Sequence, residues 1–348
     1  VHPTFTARRL LDPRYPAALR ALGDRAPDFL EAEGRLASEI GRSHMSVAIV
    51  GTREAPDWAL VMAHYLGRRI ADAGGCVISG GARGIDAAAH SGAIEAARGG
   101  TIAVVAGGID VLTPAALGDR AEAIRSRGAI LACNPRGTPP LRFRFFERNA
   151  VIAALATHVV MVAAPFRSGA RNTMAVARAL GKTRWASTAH AVDPRTHGGE
   201  EELRLGARAL GDGRSLLAEL GVDVSEGDWL SYAVERLGGP SREPRGIQTT
   251  RRKSPVTASP TRRPSSTTPP PRRPLPPPES FGNTLGQMLP APTERAVLEV
   301  VLGGPVSLDR LVAETGLPVA TLRALLLTWT VEGIVKERPD GQFEPAMG

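Results

Sequence analysis

Ser79-Gly80-Gly81-Ala82-Arg83-Gly84-Ile85-Asp86 is a glycine turn set between two regular patterns. The apolar run Cys76-Val77-Ile78 precedes it, and the alanine-rich segment Ala87-Ala88-Ala89-His90 follows. The order is strand, turn, helix start. Glycine lets a backbone come close to a ligand, and the first amides of a helix have no partner within it. Such a turn suits an anion, usually a phosphate. Arg83 adds a permanent charge with planar donors. The stretch therefore predicts a phosphate cradle made by Ser79, Gly80, Gly81, Arg83 and Gly84.

The same alternation extends to both sides. Apolar, β-branched runs occur at 47–50, 77–79, 101–106, 129–132 and 159–163, with a weaker one near Trp185. Helical patterns lie between them at 58–73, 86–97, 119–126, 147–156 and 170–180. Continuous apolar strands alternating with helices predict an α/β fold, a doubly wound, mainly parallel sheet covered on both faces. Ligands of such sheets bind past the carboxyl ends of the strands. Four small-residue turns fall there: Gly51-Thr52-Arg53, Ser79-Gly80-Gly81, Gly107-Gly108 and Ser168-Gly169.

Residues 1–45 read as an N-terminal extension and 46–225 as the sheet domain. Residues 226–289 read as a linker, and 290–348 as a small helical domain. The linker explains the charge. Residues 240–280 hold nine basic residues against two acids, a net +7 of the whole chain's +8, together with twelve prolines. That composition cannot form a core. The folded parts are nearly neutral, so a binding patch on them has to be a local cluster. Beyond the linker, helices from Thr293, over 308–314 and over 319–332 precede a hairpin, 334–338 with 342–344, which is a winged helix-turn-helix. Its recognition helix carries Arg323 as its one cation, which favours protein contact over base readout. No apolar run is long enough to span a bilayer, and the start lacks a signal-peptide layout. Cys76 and Cys133 are expected as buried free thiols. A cytoplasmic protein without membrane insertion is the expectation.

Several chemistries are disfavoured. The first turn, Gly51-Thr52-Arg53-Glu54-Ala55-Pro56, lacks the dinucleotide fingerprint, and the second strand ends in Ser79 rather than an acid. No Walker A sequence occurs. His64, His90, His158 and His190 stand apart without metal-ligand spacing, and no serine sits in a nucleophile elbow. A binder without cofactor or metal is therefore preferred over an enzyme. Arg53, at a strand's carboxyl end, is expected on phosphate. Asp86 is expected to cap the turn or pair with Arg83. Phe143-Arg144-Phe145-Phe146-Glu147-Arg148-Asn149 interleaves rings and cations as single-stranded nucleic acid requires. One of its three rings is expected to be exposed and two buried. Ser168 and Gly169 offer helix-start amides. Lys182, after Gly181, is either a ligand contact or a charge that complements a helix end.

These residues resemble the DNA-processing protein A (DprA/Smf) family. The resemblance runs through Asp12-Pro13-Arg14-Tyr15-Pro16, Val47-Ala48-Ile49-Val50-Gly51-Thr52-Arg53, the 79–90 segment, Gly99-Gly100-Thr101-Ile102-Ala103-Val104, 198–220 and the C-terminal winged helix. It implies an extended Rossmann-like domain that binds single-stranded DNA, a homodimer, and loading of the RecA recombinase onto incoming DNA in natural transformation. The DNA contacts it implies fall on Arg53, the 79–84 turn, Phe145, Arg148, Asn149, Ser168 and Lys182. Where the family pattern reads F-P-x-R-N-R, this chain has Phe145-Phe146-Glu147-Arg148-Asn149-Ala150, and Arg171 is the candidate to replace the missing charge. The alternative from another class is a sensor or processing enzyme of small nucleotides on the same fold. Against it, the P-G-G-x-G-T-x-x-E signature of such enzymes is absent around Gly107-Gly108-Ile109-Asp110.

Overall fold

The computed structural model describes residues 2–9, 11–112, 117–188, 193–237, 296–297, 300–301, 304–331 and 335–345. The linker at 240–280, His190, Glu332, Ile334 and the helix start at Thr293 lie outside the described residues.

Seven strands of the main sheet run parallel. They are β3 (Ser46–Val50), β4 (Cys76–Ser79), β5 (Gly100–Val105), β6 (Ala129–Ala132), β7 (His158–Met161), β8 (Thr183–Ala186) and β9 (Arg208–Ala209). β3 to β6 are buried along their whole length, which is why they read as unbroken apolar runs. Two further strands correct the reading of residues 1–45. β1 (Thr4–Arg8) and β2 (Phe29–Glu33) continue the same sheet, with β2 antiparallel to both of its neighbours, β1 and β6. The order is β1-β2-β6-β5-β4-β3-β7-β8-β9. The chain therefore builds from β3 in one direction through β4, β5 and β6, and then returns to the other side of β3 with β7. The crevice at this reversal is where open α/β sheets bind ligands.

Helices cover both faces. One face packs against α1 (Ala17–Arg20), α5 (Arg142–Leu155) and α6 (Gly169–Ala179). The other packs against α2 (Asp57–Asp72), α3 (Ile85–Glu95) and α8 (Arg214–Glu219). α4 (Arg120–Arg127) covers β5 and β6, and α7 (His197–Arg204) lies beside β8. The first residues assigned to the linker instead form α9 (Asp228–Leu237), which packs on α2. Tyr65 and Arg69 of α2 both donate to the Asp228 carboxylate, and Tyr65 lies edge-on to Tyr232.

The C-terminal unit keeps its predicted order: α10 (Leu308–Thr315), α11 (Val319–Val331) and a hairpin of β10 (Val335–Glu337) with β11 (Phe343–Pro345). Ser307 caps α10 and Gly316 ends it in the left-handed region. Leu311, Leu322, Leu326 and Trp329 form its core, against which Phe143 of α5 is also packed.

Candidate nucleic-acid interface

A cleft of about 470 Å³ lies at the reversal point. Its walls come from three strand-end turns and one helix: Gly51 to Glu54 after β3, Ala82, Arg83 and Asp86 after β4, Ser168 to Ala170 after β7, and Phe145, Arg148 and Asn149 of α5. The turns meet because glycine leaves room. A Cβ on Gly84 would lie 2.4 Å from the Thr52 carbonyl oxygen, and Gly84 also has φ +82°. The Ile85 amide donates to the Thr52 carbonyl at 3.3 Å, and the Thr52 amide donates to Ala163 at 2.7 Å. The fourth predicted turn is absent from the walls. Gly107 and Gly108 are covered by residues 135–140, with the Gly108 amide donating to Thr138 at 2.9 Å.

The 79–86 turn is held differently from the expectation. Asp86 is buried, and its carboxylate accepts from the amides of Gly80 at 3.2 Å and Ala82 at 3.4 Å. The anion position of this turn is thus filled by the chain's own carboxylate. Asp86 caps the turn as expected, but its charge partner is not Arg83. Arg83 pairs with Glu54 at 2.9 Å on the surface, where both side chains are exposed. An exposed pair of this kind is weak, about 0–1 kcal/mol, and a phosphate can displace Glu54 from it. Ser79 is buried and donates its hydroxyl to the Ile49 carbonyl at 2.6 Å. Ser79, Gly80 and Gly81 therefore shape the turn from beneath, while Arg83 reaches the cleft.

Arg148 supplies the compensating charge. It is 7% exposed, and its Nη1 donates to the Val104 carbonyl at 2.9 Å. Its guanidinium occupies the space beside Gly80: a Cβ there would lie 1.7 Å from Nη1. Burial lowers the Arg148 value, and the Asp86 charge opposes that shift. Burial raises the Asp86 carboxyl, with Arg148 and the turn amides acting against it. The two charges are buried together, as buried charges have to be. The family resemblance implies a DNA contact at Arg148, and the glycine turn implies ligand approach at Gly80. The structure makes Arg148 an internal strut and Gly80 the gap that admits it. A small residue followed far along the chain by an arginine carries no local sequence signal.

The Phe145 ring lies at the cleft with two guanidiniums near it. Arg53 is 5.7 Å and Arg148 5.6 Å from its centroid. Arg53 is exposed, so its donors can reach a ligand while its plane stays on the ring. Of the three rings, Phe143 is buried, and Phe145 and Phe146 are both half-buried, against the expectation of one exposed and two buried. The cluster also begins within a helix, since α5 starts at Arg142. Asn149 donates from Nδ2 to the Gly169 carbonyl at 3.1 Å, tying α5 to the start of α6. Ser168 caps α6 by accepting from the Ala170 amide at 3.2 Å.

Two predicted contacts lie elsewhere. Lys182 directly precedes β8, at the amino ends of the strands, where its Nζ donates to the Ala154 carbonyl at 3.0 Å. Burial lowers its value, and its role is to complement the end of α5. Arg171 is held by Glu202 at 3.0 Å and by the Phe166 carbonyl at 2.9 Å, so it does not fill the place of a charge at Ala150, which is itself buried. A larger recess of about 550 Å³ opens on that same amino edge, between Arg35, Arg42, Arg98 and Arg127. It is a poor anion site. α2, α3 and α4 all end there, and Arg35 and Arg127 already donate to the carbonyls of Gly99, Arg127, Ala96 and Arg98.

The family model described as DNA recombination-mediator protein A matches residues 7–221, which takes in β2 to β9, the end of β1 and the whole cleft. The chain belongs to this family. A second model, the DprA winged helix domain, matches residues 266–341. Among individual relatives of this mediator family, Protein Smf of Synechocystis is 28% identical over 96% of this chain and 78% of its own length. A protein from Mycobacterium tuberculosis described as a DNA processing protein DprA is 40% identical over 47% of this chain. The match spans only 42% of that relative's length. The solved structure of DNA processing protein A from Streptococcus pneumoniae superposes with TM-score 0.56 at 29% identity, covering 64% of this chain and 75% of that one. The Helicobacter pylori protein, whose structure was described for its single-stranded DNA binding mode, has the same fold: TM-score 0.56 at 24% identity, covering 64% and 97%.

Proposed function

We propose that this chain binds single-stranded DNA in the cleft at the β3/β7 reversal and acts as a recombination mediator rather than as an enzyme. The observation that carries this is the Phe145 ring at the cleft with Arg53 and Arg148 within about 6 Å of its centroid, together with the exposed Arg83 and the capped start of α6. An unpaired base stacks on such a ring, and its flanking phosphates take the exposed arginines. The Helicobacter pylori relative's description as a single-stranded DNA binder supports the same ligand. A duplex keeps its bases stacked inside and presents none to Phe145.

The wider role we propose is that of a homodimer in the cytoplasm that protects incoming single strands and hands them to a RecA recombinase in natural transformation. Family membership supports this, and a RecA filament-assembly assay on protein-coated single strands tests it. The site itself is tested by equilibrium binding of oligothymidylate to the full chain. Arg53→Ala should weaken binding at least several-fold, with duplex of equal length bound far more weakly by the unaltered protein. Undiminished affinity in Arg53→Ala would remove the cleft from the account.

A further inference from the structure

Phe166 is 55% exposed in the loop between β7 and α6. A single exposed ring is ordinary on a protein surface, so what marks Phe166 is how it is held. The Arg171 guanidinium stacks against it at 4.9 Å, donates to its carbonyl at 2.9 Å and is anchored on the buried Glu202. Glu202 is fixed in turn by Arg184 at 3.5 Å, and the Gly198 amide donates to Ala164 at 2.8 Å, pinning the start of the loop. The exposed Arg167 follows, and then Ser168 and Gly169 of the cleft wall. Phe145 of the cleft wall and Phe166, two residues before Ser168 of that wall, thus each carry an arginine within about 6 Å of the ring centroid.

We propose that Phe166 is a second base-stacking platform. A single strand running past Ser168 and Gly169 would place one base on Phe145 and another on Phe166, with Arg167 on the phosphate backbone. This rests on the cleft being the single-strand site. The arginine network then has a purpose beyond packing. It fixes the ring before binding, so that little side-chain freedom is lost when the base arrives. Arg171 is then the positioning residue for that ring rather than a direct contact.

The test is binding of the full chain to oligothymidylate and to an abasic oligomer of equal length, which keeps the phosphates and lacks the bases. Phe166 is on the surface, so its variants should fold as the unaltered protein does, which thermal melts check. Phe166→Ala should weaken oligothymidylate binding about fivefold or more, the lower end of what one stacked base contributes. Abasic binding should stay unchanged. Phe166→Trp should retain affinity, and its added indole emission should be quenched by oligothymidylate. Phe166→Leu should not rescue binding, because it restores apolar bulk without a π face. Full affinity in Phe166→Ala or in Phe166→Leu would overturn the proposal. If Arg53→Ala still weakens binding in that case, only Phe166 is refuted. If neither variant weakens it, the cleft reading falls as well.

Discussion

Replacing Gly80 by alanine tests the internal arrangement of the cleft. Gly80 is not among the positive-φ glycines, so its backbone accepts a side chain. By conformation alone Gly→Ala would be neutral or stabilising, by about 0.4–1 kcal/mol. Space decides against it, because the new Cβ would lie 1.7 Å from Nη1 and 2.4 Å from Cζ of Arg148. The end of an arginine usually moves at little cost, but this one is buried and bonded to Val104. Displacing it forfeits a hydrogen bond from a charged group, about 1.5–3 kcal/mol. It also weakens the favourable Coulombic interaction that Arg148 makes with buried Asp86. These losses overlap, so Gly80→Ala should destabilise by about 3 kcal/mol in equilibrium denaturation of the full chain. Arg148→Ala should destabilise by a similar amount. The decisive variant is the double one. With the guanidinium gone, the alanine methyl fits, and Gly80→Ala should add less than about 0.5 kcal/mol, far from additive. Additive losses, or a harmless Gly80→Ala, would show that Arg148 does not occupy that gap in solution.

Other predictions follow from the same geometry. Phe145→Ala should weaken oligothymidylate binding by about 5- to 150-fold, the range for one stacked base, as read by fluorescence anisotropy. Lys182→Met should leave that affinity unchanged, because Lys182 sits at the opposite edge of the sheet. Acid stability should report His90. Its Nδ1 lies 2.7 Å from the Thr101 hydroxyl, which itself donates to Val77, so the imidazole is neutral with its proton on Nδ1. Burial pushes His90 down to about 3 from the ordinary 6.5. The unfolded chain therefore binds this proton more readily, and stability present above pH 6.5 is lost as pH falls toward 3. His90→Asn keeps a donor for Thr101 and should flatten the change in denaturation midpoint between neutral and mildly acidic pH.

The parallel strands were legible because each is buried on both sides and reads as an unbroken apolar run. β1 and β2 were not, since each alternates or mixes charges, as in Glu31-Ala32-Glu33, and the pairing with β6 is made across a hundred residues. In the cleft, Arg53 and the Ser168 cap could be read because their roles are local: a strand end and a helix start. The Gly80–Arg148–Asp86 packing could not, because it joins a turn to a distant helix by fit alone. Lys182 was misplaced for a topological reason. A cation next to a glycine helix cap looks like a ligand contact until the strand that follows shows which edge of the sheet it occupies. Phe166 is distinguished from other loop residues only by the Arg171 guanidinium held against it.

The basic linker is the main competitor to the cleft as the place where DNA binds, since nine cations attract any polyanion without a fold. The most direct measurement is therefore the salt dependence of oligothymidylate affinity for three proteins: the full chain, its Arg53→Ala/Phe145→Ala/Phe166→Ala variant, and a variant with the nine linker cations replaced by glutamine. If Arg53, Arg83 and Arg167 each meet one phosphate, the linker-neutral protein should show a log–log slope of about −2 and should still prefer the oligothymidylate over an abasic oligomer. The cleft variant should lose that preference and keep only the steeply salt-sensitive attraction of the linker. Base-dependent binding that survives in the cleft variant, or vanishes when the linker is neutralised, would contradict the account.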